Sequence, residues 1–291
     1  MKKFSIIIPS HNGQKYITRC LNSIRQQTYS DYEIIFINDS STDYTADIIQ
    51  SEFNSFNMKY YEVSFNDISK TRNYGITKVS GDSIIFVDVD DWIGKYLLEN
   101  LSNIENENDI IRYQGIMVDN DNNVYEKYIT DEFYSCNGMT ALNKFARGFE
   151  IYSPSWLYAY DFSFWEKHNF KFPVGMLQED FALTSLILSK AKCITSIPYI
   201  GYYYYKSQNS IMRNNDYDNQ VKKAYDVLAH CDKFYKDIIL DIQDETIKNN
   251  LITYYLNVIR HKVNLLNSPE KEEYEKQLSL REKRWKRNGK Y

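Results

Sequence analysis

Breakers of regular structure are scarce in this chain, with 10 glycines and 5 prolines in 291 residues. This suggests a compact chain with little linker. The 4 cysteines (Cys20, Cys136, Cys193 and Cys231) are scattered, with no C-x-x-C pair. Neither a disulfide framework nor a zinc site is indicated. The 4 histidines (His11, His168, His230 and His261) offer no H-E-x-x-H spacing. G-x-G-x-x-G is absent, as is G-x-x-x-x-G-K followed by Ser or Thr, so a dinucleotide fingerprint and a P-loop are unsupported. The first apolar run, Phe4 to Ile8, stops at Pro9. It is too short for a signal h-region or a membrane span, and a cytoplasmic location is the expectation. A net charge of −4 gives no support for a nucleic-acid partner.

What is present suits a globular protein. Hydrophobic content is 43% and charged content 25%, enough to bury a core. The length suits one large domain, or one domain with an elaboration. Tyrosine, at 27, is unusually abundant. The organising stretch is Ile84-Ile85-Phe86-Val87-Asp88-Val89-Asp90-Asp91-Trp92. Its apolar run reads as a strand buried on both faces, with the acids where the strand leaves the sheet. In extended backbone Asp88 and Asp90 point to the same side. Two carboxylates aimed one way can hold a divalent cation that completes its shell with substrate phosphates and water. The plainer reading is a strand that stops in a solvated acidic turn. Without a glycine-rich loop, phosphates would be held by a metal and by Arg or Lys. Arg72 is the nearest candidate, and a solvated helix arginine is its plainer reading.

Strands are predicted at Phe4 to Ile8, Glu33 to Ile37, Met58 to Val63 and the acidic stretch, with helices between them. Ile17, Cys20, Leu21 and Ile24 recur at helical spacing. Ser40 and Asp43 have capping-box spacing before a helix through Ile48 and Ile49. A third helix runs through Arg72 to Gly75. The alternation implies an α/β fold with a mostly parallel, doubly wound central sheet flanked by helices. Ligands of such sheets bind beyond the carboxyl ends of the strands, where Asp39 and the Asp88–Asp91 cluster fall. Further on, Asp109 to Val118 and Val124 to Ile129 make a hairpin, a helix covers Met139 to Arg147, and Ser155 to Tyr160 is strand-like. Asp161 can cap a short helix through Trp165. A loop from Phe170 to Leu177 delivers Gln178-Glu179-Asp180 to a helix ending at Lys190. Carboxylates there are stabilised by the helix N-terminus in any case. Cys193 to Ile197 and Tyr199 to Tyr205 read as two strands. Segments near 216–240, 244–267 and 270–287 are helical by pattern. The basic run from Arg281 to Lys290, with Trp285 inside it, reads as a solvated helix end or as a peripheral contact with an anionic membrane face. The C-terminal helices are also the candidate homo-oligomer interface.

The motifs together resemble glycosyltransferase family 2, with its GT-A fold. Ser5-Ile6-Ile7-Ile8-Pro9-Ser10-His11-Asn12 is similar to the family's opening strand and P-x-Y-N. Cys20 to Tyr29 is similar to its first helix. Ile37-Asn38-Asp39-Ser40-Ser41-Thr42-Asp43 is similar to V-D-D-G-S-T-D. Thr71-Arg72-Asn73-Tyr74-Gly75 is similar to A-R-N-x-G, and Phe86 to Asp91 to L-D-x-D-D. The resemblance is dense from residue 4 to about 95. It returns at Glu179-Asp180 and, more loosely, over Tyr202 to Ser210. His11 stands where the family usually has Tyr or Phe, Gln14 where Glu is common, and Asn38 where the first Asp of D-D-G-S stands.

The resemblance implies inverting transfer of a sugar from a nucleotide diphosphate donor, a UDP-sugar, with Mn²⁺ or Mg²⁺. The acceptor would be a glycan or lipid-linked hydroxyl in bacterial surface-polysaccharide synthesis. It further implies a nucleotide-sugar site of Pro9, His11, Asn12, Asp39, Arg72, Asp88 and Val89, a metal site of Asp90 and Asp88, and catalysis by Asp180 with Glu179 as its neighbour. Tyr199 to Tyr205, with Lys206, Ser210 and Arg213, would line the acceptor or close over the diphosphate. An aromatic core strand and a solvated turn are the alternative. The expected division is a nucleotide-sugar-binding half over 1–95, an acceptor-binding half over 96–215 and a C-terminal helical appendage over 216–291. Two other enzyme or binding readings stay open: a non-catalytic nucleotide-sugar or glycan-binding module of the same fold, and a sugar nucleotidyltransferase. A decayed module would be free to lose Asp88, Asp90, Glu179 and Asp180. A nucleotidyltransferase typically has a glycine- and basic-rich loop after the first strand, and only Gly13 and Lys15 stand there. A phosphoacceptor domain would need acids where Pro9-Ser10-His11-Asn12 stands.

Overall fold

The computed structural model describes residues 2–52, 57–104, 107–148, 153–206 and 216–287. The chain divides into two compact units. One comprises Met1–Asn137, Pro154–Gly175 and Ala191–Gln208, and the other Gly138–Ser153, Met176–Lys190 and Asn209–Tyr291. Ser210, Arg213 and Lys290, singled out in the sequence, lie outside the described residues.

The first unit is built on a ten-stranded sheet. Strands β1 (Phe4–Ser10), β2 (Tyr32–Asp39), β3 (Met58–Val63) and β4 (Ser83–Phe86) run parallel in the order β3-β2-β1-β4. Ile6, Ile7, Ile8, Ile34, Ile35, Ile84, Ile85 and Phe86 are all 0% exposed, as strands covered on both faces require. Helices α1 (Ile17–Arg25), α2 (Thr45–Glu52) and α3 (Ile68–Ile76) connect them. α1 turns Ile17, Cys20, Leu21 and Ile24 inward at the predicted spacing. α3 lies so close to the sheet that a Cβ on Gly75 would stand 2.7 Å from Ile7 and 2.8 Å from Ile37. Glycine is what permits that approach. The strand order reverses at β1, with β2 on one side and β4 on the other. This is the switch point at which the loops of an open α/β sheet splay into a crevice.

Beyond β4 the sheet becomes mixed. The short β5 (Trp92–Ile93) precedes α4 (Leu97–Ser102), β6 (Ile110–Val118), β7 (Val124–Tyr128) and β8 (Phe133–Cys136). Then come β9 (Tyr158–Asp161), α6 (Phe162–His168) and β10 (Ile194–Tyr205), α5 and α7 belonging to the second unit. β9 runs antiparallel between β4 and β6, β10 is parallel to β6, and β5 is antiparallel to β10. Three local expectations are corrected. The two strands expected at Cys193 to Tyr205 are one, whose register with β6 slips between Ser196 and Tyr202. Pro198, which lacks an N–H for the ladder, sits in that slip. Ser155–Leu157 is a 3-10 turn, so the strand starts only at Tyr158. The Ser40–Asp43 capping box does not form: Ser40 Oγ donates to Asp39 Oδ1 at 3.0 Å, and Asp43 accepts from the Thr45 N–H at 3.0 Å.

The second unit groups α5 (Gly138–Gly148) and α7 (Asp180–Lys190) with α8 (Tyr217–Asp237), α9 (Glu245–Val263) and α10 (Glu270–Arg287). Its core is aromatic. Tyr255 packs against Phe181 and Phe234 at 5.7 and 4.6 Å between ring centroids. Trp285 is 0% exposed and stacks on Tyr235 at 4.7 Å. Trp285 is therefore a core residue of this unit, and Lys283, Arg284 and Lys286 are what the end of α10 exposes. Among the described residues no helix is long and apolar enough to cross a membrane.

Glu33 illustrates how the sheet tolerates charge. It is 1% exposed, and its carboxylate receives Ser5 Oγ (2.6 Å), Ser80 N (2.8 Å), Ser80 Oγ (2.8 Å) and Lys59 Nζ (2.8 Å). Burial alone would raise its pKa, but these donors outweigh it and hold the group at about 2. A depressed folded-state pKa means stability that is present above the ordinary glutamate range and is lost as pH falls toward 2. Glu33→Ala is expected to lower unfolding free energy by about 2–3 kcal/mol near pH 7. In urea titrations the gap to the native protein should close as the pH is lowered through that window.

Candidate active site

The loops after β1 and β2 are joined by hydrogen bonds, and the loop after β4 is tied to Arg19 of α1, Arg72 of α3 and β10. After β1, Asn12 adopts φ +53°, and Ser40 after β2 adopts φ +58°. His11 Nδ1 lies 2.7 Å from the Asp39 carbonyl oxygen and must therefore donate to it. The other ring nitrogen then accepts from Asn12 Nδ2 at 3.1 Å, and Asn12 Oδ1 accepts from the Thr42 N–H at 2.8 Å. This relay fixes the tautomer and plane of an exposed imidazole. Gln14 Oε1 accepts from the Tyr44 N–H at 3.0 Å. Pro9 is buried within β1.

Asp39 is 5% exposed. Its carboxylate accepts from Phe65 N (2.7 Å), Asn66 N (2.9 Å), Asp67 N (3.2 Å), Thr71 Oγ1 (2.7 Å) and Ser40 Oγ (3.0 Å). Burial pushes its pKa up, but the donors from Asn66, Thr71, Asp67 and Phe65 outweigh that and hold it below the usual carboxylate range. Asp39 thus gathers the end of β2, the loop after β3 and the first turn of α3. Its neighbour Asn38 donates to Tyr60 Oη at 3.1 Å.

The acidic stretch is not extended, as the alternation of Asp88 and Asp90 had implied. The Asp91 N–H donates to the Asp88 carbonyl at 3.0 Å, closing a tight turn with Val89 and Asp90 at its centre. The three acids have three environments. Asp88 Oδ1 accepts from Arg72 Nη2 at 2.8 Å, Arg72 being 4% exposed and 5.3 Å from the Phe172 ring centroid. Asp90 is half-buried, and its carbonyl accepts from Arg19 Nη2 at 2.6 Å. The Arg19 guanidinium lies against both Trp92 and Tyr205, 4.3 and 4.1 Å from their ring centroids. Asp91 is 0% exposed and accepts from Tyr202 Oη and from the Tyr205 N–H, both at 2.7 Å. Burial first, then the charges of Asp90 and Asp88, push Asp91 well above the usual carboxylate range. Tyr202 Oη also accepts from the Asp88 N–H at 3.0 Å. Val89 seals the turn against the β1 loop: a Cβ on Gly13 would stand 2.9 Å from it.

Arg19, Tyr202 and Tyr205 were not singled out individually by sequence. Their relation to the acids is carried by pairings between residues more than 65 apart, and no local pattern announces it. Glu179 and Asp180 belong to the second unit, at the head of α7, where the Phe181 N–H donates to the Gln178 carbonyl at 3.0 Å.

A mixed sheet with parallel strands at one side, a strand-order reversal at β1 and an arginine-paired acidic turn is the GT-A arrangement. The profile of Glycosyl transferase family 2 matches residues 5–168, more than half of the chain, and the chain belongs to that family. Among curated relatives it is similar to the poly(ribitol-phosphate) beta-N-acetylglucosaminyltransferase TarS of Staphylococcus aureus, 36% identical over 104 residues. That match spans 34% of this chain and 18% of the relative's length. Among solved structures, S. aureus TarS 1-349 in complex with UDP-GlcNAc superposes with a TM-score of 0.64 at 19% identity, covering 99% of this chain and 90% of the other. A mannosyltransferase from Pyrobaculum calidifontis, in complex with GDP-Man and Mn²⁺, superposes at 0.60 with 12% identity over 99% of this chain and 86% of the other. Both structural likenesses are likenesses of fold.

The Asp91 anchor has a measurable weight. Asp91→Ala leaves a buried hydroxyl and a buried N–H without their acceptor and is expected to cost about 3 kcal/mol of unfolding free energy. Tyr202→Phe, which removes only the hydroxyl bridge, should cost about 1–2 kcal/mol by the same chemical denaturation.

Proposed function

We propose that the chain transfers a sugar, with inversion, from a UDP-sugar to a hydroxyl of a glycan, polyol-phosphate polymer or lipid-linked acceptor of the bacterial surface. The observation that carries this reading is the Asp88–Asp91 turn, fixed at the switch point beside the His11–Asp39 assembly within a family 2 domain. The uracil is proposed to lie against Pro9, His11 and Asn12 and the loop that Asp39 organises. Arg72, Asp88 and Val89 would border the ribose and diphosphate. A UDP-bound fold neighbour and a relative that uses an N-acetylglucosaminyl donor support UDP-GlcNAc as the first donor to try. Residues 1–95 would serve the donor, 96–215 the acceptor and 216–291 the support of the unit they join, at the inner membrane face where a lipid-linked acceptor would be met.

The donor set fits a hard divalent cation. Asp90 and Asp88 present carboxylate oxygens on one turn, and Mg²⁺ or Mn²⁺ takes one or two carboxylates together with substrate phosphates. Among the described residues no three metal-ligating side chains cluster into a self-sufficient cage, which suits a cation shared with the donor. Such a metal would neutralise charge on the departing diphosphate. The protein's own part is to hold the diphosphate beside Arg72 and to take the proton from the acceptor hydroxyl. Asp180 is proposed for that step, with Glu179 orienting it or the acceptor. A base on the face opposite the leaving group gives single displacement and inversion.

Thermal unfolding with UDP and Mn²⁺ tests the donor half. Stabilisation of about 2–3 kcal/mol is expected at about 100-fold excess over Kd, and Asp90→Ala should abolish it. Asp180→Ala should keep that stabilisation while lowering transfer by about 10²–10⁴-fold. Stabilisation by GDP or CMP in place of UDP would sink the uridine assignment, and near-native transfer by Asp180→Ala would sink the base.

A further inference from the structure

Leu177 stands just before the Glu179-Asp180 pair, and both of its backbone polar groups are taken by side chains of α8. Its N–H donates to Asp226 Oδ2 at 2.8 Å. Its carbonyl lies 3.2 Å from His230 Nε2. A carbonyl only accepts, so that ring nitrogen carries the proton. Asp226 and His230 are one helical turn apart and share a face. Lys222, one turn earlier, ion-pairs with the same Asp226 oxygen at 2.5 Å. His230 is 2% exposed. Burial holds its pKa below the ordinary histidine value, against the opposing pull of the Leu177 carbonyl and of the Asp226 and Glu179 charges, with Lys222 adding to the lowering. The imidazole is therefore neutral at physiological pH and still donates from Nε2.

The residue between this clamp and the acidic pair is under backbone constraint. Gln178 has φ +55°, a left-handed conformation uncommon for a residue with a side chain. It persists only where the surroundings over-determine it. The double grip on Leu177 supplies that determination on one side. On the other, the Phe181 N–H returns to the Gln178 carbonyl to open α7.

We propose that Asp226 and His230 are positioning residues for Glu179 and Asp180. They hold Leu177 by both backbone groups, keep Gln178 left-handed, and so present Asp180 at the head of α7 in one orientation. This rests on Asp180 being the base of the transfer reaction. It gives α8, in a stretch with no family signature, a part in catalysis without contact with substrate.

The test is steady-state release of UDP from UDP-GlcNAc by the full chain, read together with thermal stabilisation by UDP and Mn²⁺. His230→Ala is expected to lower kcat about 10- to 100-fold, with KM for UDP-GlcNAc and the UDP stabilisation within about twofold of native. His230→Gln, whose amide nitrogen can stand where Nε2 does, should recover most of the loss. Gln178→Gly added to His230→Ala should recover about tenfold, because glycine adopts the left-handed conformation without support. Should His230→Ala fail to fold, Asp226→Ala reads the same step through the Leu177 N–H, with about a tenfold loss in kcat expected. Native kcat in both alanine variants, or a loss that Gln178→Gly and His230→Gln leave untouched, overturns the positioning role. Asp180→Asn in the same assay separates the two ideas. If it turns over at the native rate, the base assignment falls and the inference with it. If it is slow while His230→Ala is native, only the inference falls.

Discussion

The geometry of the acidic turn depends on one buried carboxylate. Asp91 has no exposure, and its oxygens are occupied by Tyr202 Oη and the Tyr205 N–H. Taking a carboxylate out of water is costly unless donors replace the water. The donors here come from β10, which joins the chain more than 100 residues later. The end of β4, β5 and β10 are thereby tied at one point. Tyr202 carries the tie further: the same hydroxyl that donates to Asp91 accepts from the Asp88 N–H, and its ring stacks on Trp156 at 4.2 Å. Asp88, Val89 and Asp90 therefore lie on a turn whose backbone is held by Tyr202 Oη at one end and by Arg19 at the other.

The two arginines of the site act differently on the other two acids. Arg72 meets the carboxylate of Asp88, while Arg19 meets the carbonyl of Asp90. The ion pair with Arg72 offsets the charge of Asp88. At Asp90 the guanidinium, which also meets the Trp92 and Tyr205 rings, holds the backbone carbonyl. A planar guanidinium can meet two rings while its N–H groups still donate, which suits arginine better than lysine.

The parallel half of the sheet was legible in the sequence because its signals are local. Isoleucine-rich runs define β1, β2 and β4, helical periodicity defines α1, and acids mark strand ends. Gly75 was legible only as a motif letter, and the structure supplies the reason in its contact with Ile7 and Ile37. What escaped were relations between distant segments. The spacing of Asp88 and Asp90 suggested extended backbone, yet a turn forms because the Asp91 N–H closes on Asp88 and Asp91 is drawn inward by β10. The pattern Ser40-x-x-Asp43 suggested a capping box, yet Asp39 competes for the Ser40 hydroxyl. Trp285 among basic residues suggested a surface, but Tyr235 on α8 covers it. Periodicity marked α8, α9 and α10 as helices but could not show that α5 and α7 complete their unit, since each amphipathic face reads the same whatever covers it.

The second unit owes its coherence to this shared covering. α7 opens with the acidic pair and carries Phe181, which packs on Tyr255 of α9, while Phe234 of α8 packs on the same ring. α8 in turn is held by α10 through Tyr274 Oη, which donates to the Ala224 carbonyl at 3.0 Å, and through the Arg281–Asp232 ion pair. A displacement of α10 is thus felt at α8, and one of α8 at Leu177. A rigid element can place a side chain to within fractions of an ångström only if its own supports are packed. The helices after residue 216 supply those supports to the head of α7.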